Sequence, residues 1–421
     1  MRGGRSIAAR ACGVLLTVLA AVGSTPAFAQ DSAPAVSRLI ADPSDPRELA
    51  LSSNFGLLLS HDAGSSWDFR CKAALGYRGN EPAFAILPGG TLVLGVSAGI
   101  LTADKAGCEF TPGRGIEPNV VDVAALMETP GAALAVSVRV ATSSSRLWRS
   151  LDGARTFQAV GAELPHFTAL SLAAPAALPK RVYLTGLVWA QSVRGAFAVS
   201  NDAGQHFSIT TLPNSDSGAQ PFIAGINPQH PDTIYLRFTG LPGRVQVSDD
   251  AGRSFRDVLS IPGPVQGFAL SPSGDRVFVS SLESGIYQAD SAALTFERTS
   301  AVGVPCLLST GDSLLACGHR VQNGFLVGRS LDAGRGFRAL LDTAGISPAV
   351  CGPQTTVGAI CSESWPRIAA QLRSIHAVTA PAPSAASVVS PAAPSAKTAA
   401  RGWSVVLIEL VVTVLSWLGL R

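Results

Sequence analysis

Ser60-His61-Asp62-Ala63-Gly64-Ser65-Ser66-Trp67 is the stretch on which the reading of this 421-residue chain turns. Its pattern of Ser, Asp, Gly and a terminal aromatic returns at residues 150–157, 200–207, 248–255 and 330–337, and in two eroded copies at 104–110 and 290–296. The aspartates are Asp62, Asp104, Asp152, Asp202, Asp250, Asp290 and Asp332, spaced by 42, 48, 50, 48, 40 and 42 residues. Seven units of that length predict an all-β, seven-bladed β-propeller with four-stranded blades.

The octapeptide explains itself physically. Ser and Asp at the first and third positions offer side-chain oxygens to the N–H groups of a tight turn. Glycine at the fifth position, or the fourth in the third unit, accepts positive φ, and the closing aromatic enters the core as the next strand begins. A calcium site needs several converging oxygen ligands, whereas each turn supplies one carboxylate on its own blade. The seven aspartates are therefore read as structural, with no metal and no cofactor expected.

This motif resembles the Asp-box, or BNR repeat, of sialidases, sortilin-type receptors and photosystem II assembly-factor-like proteins. The resemblance covers roughly residues 36–342 and is strongest to the assembly-factor-like group. It implies the propeller fold and leaves activity open, because one fold hosts many functions.

The chain divides into segments by composition. Residues 1–29 read as a signal peptide, with Arg2, Arg5 and Arg10 before an apolar run and Ala27-Phe28-Ala29 as a small-x-small cleavage site. Cys12, ahead of that run, is read as incidental. Residues 30–342 form the propeller and 343–375 a disulfide-containing cap over the ring's seam. Residues 376–401, dominated by Ala, Pro, Ser and Val, form an extended linker reaching at most about 80 Å. Residues 402–421 form a transmembrane anchor with Glu409 at mid-span. The expected placement is an extracytoplasmic propeller, periplasmic or at the cell surface, held to its membrane at the C-terminus.

Composition narrows the partner classes. With 32 basic and 29 acidic residues the net charge of +3 gives no basis for nucleic-acid binding. Only 14% of residues are charged against 47% hydrophobic, with 42 Gly and 28 Pro, as many short strands and turns require. Six cysteines follow the signal, an even number that fits disulfides in an exported protein. Neighbours in sequence suggest Cys71–Cys108, Cys306–Cys317 and Cys351–Cys361. The middle pair falls opposite itself if Gly311-Asp312 is a two-residue hairpin turn. No strand is expected to cross between the first and last blades, so closure would rest on side-chain packing.

Two catalytic readings compete with a binding one. Gly95-Val96-Ser97-Ala98-Gly99 matches G-x-S-x-G, but it joins two strands rather than a strand and a helix. A carbohydrate-active enzyme, sialidase-like or with two carboxylates, is the more serious alternative. Sialidases have six blades, an Arg-Ile-Pro motif and a Tyr–Glu pair; this chain has seven blades, no such motif and four tyrosines. Acidic residues opposite the repeated turns are few, chiefly Glu81, Glu117, Glu163, Asp216 and Glu283. The same rim is expected to carry Tyr77, Arg78, Arg114, Trp189, Arg194, Arg244, His319 and Arg320. Arginines and aromatics around a propeller mouth suit an anionic ligand or an acidic surface of an extracytoplasmic or membrane protein.

Overall fold

The computed structural model describes residues 35–76 and 82–376. The expected signal peptide, linker and anchor lie outside the described residues, as do Tyr77, Arg78 and Glu81. Seven antiparallel sheets each contain four strands in sequence order. Blade one comprises Val36–Ala41, Leu49–Ser53, Gly56–Ser60 and Trp67–Cys71; blade seven comprises Leu307–Thr310, Ser313–Cys317, Val327–Ser330 and Arg338–Leu341. Inner strands such as Leu49–Ser53 and Leu92–Val96 are buried throughout, because both faces of a blade pack on neighbouring sheets. First strands of successive blades touch all the way round, Val36–Ala41 meeting both blade two and blade seven.

Each repeated turn does what its residues dictate. In the first, the Ser60 hydroxyl accepts from Gly64 N at 2.8 Å and donates to Asp62 at 2.9 Å. Asp62 in turn accepts from Ser66 N at 2.8 Å and from the Ser66 hydroxyl at 2.6 Å. Trp67 is buried and its indole N–H caps Gly64 O at 2.9 Å. Two successive residues take positive φ rather than one, Ala63 at 58° and Gly64 at 88°. The aromatics of the first three turns are buried, whereas Phe207, Phe255, Phe296 and Phe337 are partly buried against the interior clusters.

Blades are latched to one another through the same turns. A side chain near the end of a third strand, one blade earlier in the ring, donates to the carbonyl at the fourth position of the next blade's turn. Thr102 reaches Gly153 O at 3.1 Å, Arg149 reaches Ala203 O at 2.9 Å, and Arg329 of blade seven reaches Ala63 O of blade one at 2.8 Å. The last of these spans the seam.

Closure departs from expectation in three ways. A three-residue strand, Ile346–Pro348, adds parallel to the outer edge of blade one, with Ile346 opposite Trp67 and Pro348 opposite Phe69. It escapes the sequence reading because three residues ending in proline carry no alternation. The segment beyond it is a 21-residue helix, Thr356–His376, and not a small disulfide loop. Val357, Cys361, Ile368 and Leu372 are its buried stripe, and Trp365 lies 5.8 Å from the Phe69 ring centre. Finally, the disulfides are Cys71–Cys361, Cys108–Cys351 and Cys306–Cys317. Only the last agrees with sequence proximity, its hairpin turning at Gly311-Asp312 between paired Thr310 and Ser313. The other two follow from ring closure, which sets the segment after blade seven against blades one and two.

The candidate binding rim and its neighbours

The rim opposite the repeated turns is built from connections between second and third strands and between blades. Three consecutive blades place a large exposed apolar side chain at the same connection: Trp189 on blade four at 43% exposed, Leu241 on blade five at 70% and Leu282 on blade six at 44%. Trp189 is oriented by its indole N–H, which donates to the Thr168 hydroxyl at 2.8 Å. Arg194 sits on the same hairpin one register step on, paired with Val188 where Trp189 pairs with Val193, so the two side chains leave opposite faces of the sheet; Arg194 is exposed, and its Nε reaches the Ser192 hydroxyl at 3.4 Å.

Among the described residues, the other expected rim side chains are held at separate places. Arg244 is mostly buried, its guanidinium 4.6 Å from the Phe238 ring centre, bonded to Asn214 O and 3.6 Å from Asp257. It braces the blade four to blade five connection. His319 and Arg320 belong to blade seven, where Arg320 opens the short helix Arg320–Asn323. Arg114 lies away from the rim. Its backbone bridges to the third repeated turn, its N–H donating to Arg155 O at 2.9 Å and its carbonyl accepting from Phe157 N at 2.8 Å.

Three of the rim carboxylates, Glu117, Glu163 and Asp216, are held in place by their own neighbours. Arg139 clamps Glu117 at 2.7 Å and Glu163 at 2.9 Å, and Arg146 reaches Glu163 at 3.3 Å. The Ser144 hydroxyl also donates to Glu163, and this bond, ahead of the arginines, holds its carboxyl below the ordinary glutamate range. Asp216 caps its own turn, accepting from Gly218 N at 2.8 Å and Ala219 N at 3.0 Å. The network around Arg139 was not anticipated, because it joins residues from three connections that only the closed sheet brings together. The G-x-S-x-G segment is a hairpin, with Val96 paired to Gly99 and Ser97-Ala98 as its turn.

In the first, third, fourth and fifth repeated turns both oxygens of the aspartate are occupied from within the turn. In the third, Asp152 Oδ1 accepts from the Ser150 hydroxyl and from the N–H groups of Arg155 and Thr156, and Oδ2 from the Thr156 hydroxyl. The Thr156 hydroxyl is the largest influence keeping this carboxyl down at about 2. No group of three His, Cys, Asp or Glu side chains suited to a metal gathers among the described residues. Nor is any helix among them long and apolar enough to cross a membrane.

Seven four-stranded blades with a ring of inner strands define a seven-bladed β-propeller. No family model matches the chain, and no curated protein is similar to it. Among solved structures it is similar to Kuenenia stuttgartiensis hydrazine synthase, at 11% identity and a TM-score of 0.51 over 74% of this chain and 99% of that one. It is also similar to YCF48 from Cyanidioschyzon merolae, with 13% identity, a TM-score of 0.46, and 67% and 92% of the two chains covered. The Niastella koreensis GH74 enzyme gives 13%, 0.43, 75% and 66%, so the chain spans just under two thirds of that enzyme's length. At these identities the likeness is one of fold.

Proposed function

We propose that this propeller is a non-catalytic docking platform that binds an acidic segment of another protein outside the cytoplasm. The observation that carries the reading is the row of exposed Trp189, Leu241 and Leu282 on three adjacent blades, with exposed Arg194 on the same rim hairpin as the tryptophan. Exposed apolar anchors on a rim that also carries arginine are the surface chemistry of protein-binding hot spots. The Asp-box or BNR character of the turns, the exported location and the C-terminal anchor belong to this reading too. Three disulfides support an oxidising compartment.

A two-carboxylate glycosidase needs one acid with a raised pKa facing a second free carboxylate. Glu117 and Glu163 instead share the Arg139 guanidinium, and Glu163 is shifted the other way. That arrangement favours binding over hydrolysis. The test is a crosslinked pull-down from source membranes with wild type and with Trp189→Ala combined with Arg194→Ala, run beside a glycan hydrolysis screen. Recovery of a discrete partner should fall with the double variant. Unchanged recovery, or turnover of a glycan, would overturn the reading.

A further inference from the structure

The axis of the ring carries charge that nothing on the rim explains. Arg38 lies on the first strand of blade one and is exposed, with its guanidinium 5.1 Å from the Phe84 ring centre of blade two. Asp122 lies on Val120–Ala125, the first strand of blade three. Arg237 is on the second strand of blade five, paired with Phe222 of the first strand, and its guanidinium stands 4.9 Å over the Phe222 ring. Asp122 and Arg237 are surrounded by protein, yet both keep accessible surface. Groups enclosed on nearly every side that still meet solvent line an internal space, here the channel that a propeller's inner strands enclose.

The charges in that space do not balance. Asp122 is committed to joining blades three and four: Oδ2 accepts from Leu172 N at 2.8 Å and Oδ1 from Val123 N at 2.9 Å. Arg237 makes one long hydrogen bond, to Val265 O at 3.4 Å. Among the described residues neither Arg237 nor Arg38 has a carboxylate within ion-pairing distance, although the Arg38 charge is near enough to act on both Arg237 and Asp122. Burial first, and the positive charge of Arg38 second, push the Arg237 guanidinium down to about 10. A desolvated cation without a counter-ion is costly, and a guanidinium presents a planar fork of donors matched to oxyanions.

We propose that the channel is an oxyanion site in which Arg237 and Arg38 hold a small carboxylate or phosphate, with the Phe222 and Phe84 rings backing the two guanidinium groups. It is separate from the rim and does not depend on the docking role. The test is isothermal titration of the purified full chain with malonate and with phosphate, in a chloride background of constant ionic strength. Saturable one-to-one binding is expected, weakened roughly tenfold or more in Arg237→Met and in Arg38→Gln and unaltered in the exposed-turn control Arg253→Ala. The two anions separate carboxylate from phosphate preference. Arg38→Gln, at an exposed strand position, keeps the test open should Arg237→Met fail to fold. Absence of saturable binding to either anion, or equal affinity in wild type and a folded channel variant, would overturn the proposal.

Discussion

At the scale of single residues, the fourth position of each turn does more than the sequence discloses. Ala203 adopts φ of 62°, donates its N–H to Lys180 O within its own blade at 2.7 Å, and accepts Arg149 from the neighbouring blade. Left-handed backbone costs an L-residue about 1–2 kcal/mol, least for small side chains. Ala203→Val should therefore lower stability by about 1–2 kcal/mol in thermal or urea melts, because branching at Cβ worsens the clash. Asp152 is the complementary case. Its carboxyl is depressed in the fold, so its stabilisation is complete above about pH 4, the ordinary carboxylate range, and is lost as pH falls toward about 2. Asp152→Ala should cost about 1–2 kcal/mol at neutral pH and make acid unfolding over that window shallower. A variant curve parallel to that of wild type would show that other carboxylates set the acid limit.

At the scale of elements, the seam between blades seven and one is fastened by three unlike devices: the Arg329 latch, the parallel strand Ile346–Pro348, and the helix Thr356–His376. Arg329 makes a charged hydrogen bond, but its Nε is buried without a partner among the described residues. Its net worth should sit low in the usual range, about 1 kcal/mol for Arg329→Met, with faster amide exchange concentrated at residues 56–71 as the readout. The helix is begun by a carboxylate from another blade. Glu109 accepts from Thr356 N at 2.7 Å and from the Thr356 hydroxyl, in the position that favours negative charge at a helix start. Glu109→Ala should expose the helix's first turn to limited proteolysis before the blades are cut.

How much of this was legible follows from range. The seven turns announced themselves because each is an eight-residue local structure, and from their spacing came blade number, strand count and order. The stripe Val357, Cys361, Ile368 and Leu372 stands in the sequence too, but pairing Cys351 with Cys361 by proximity conceals its helical period. The rim was harder. Trp189 and Arg194 share a hairpin and could be read together, whereas Arg244 packs inward on Phe238 and Arg114 follows a neighbouring turn. The proposed channel charges carry no sequence signal, since Arg38, Asp122 and Arg237 are single charged residues in strands of three different blades.

At the scale of the whole molecule, the two long-range disulfides tie the segment that follows blade seven to the start of the ring, closing loops of 290 and 243 residues. In the chain-entropy model the first such closure is worth on the order of 5 kcal/mol and the second less, since both follow nearly the same path. Cys361→Ser should lower the melting temperature more than Cys306→Ser, whose bridge closes an 11-residue separation within one hairpin. Differential scanning calorimetry of the two variants decides the order; the reverse ranking would mean that packing, not covalent closure, secures the seam.

The same connectivity sets a problem in time. Cys71 and Cys108 leave the ribosome long before Cys351 and Cys361, so each spends most of synthesis with the other as its nearest thiol. A premature bond between them would have to be broken by thiolate exchange before the ring could lock. The chain thus calls for a disulfide-shuffling catalyst wherever it matures, and its yield should track that catalyst more closely than it tracks oxidising power alone.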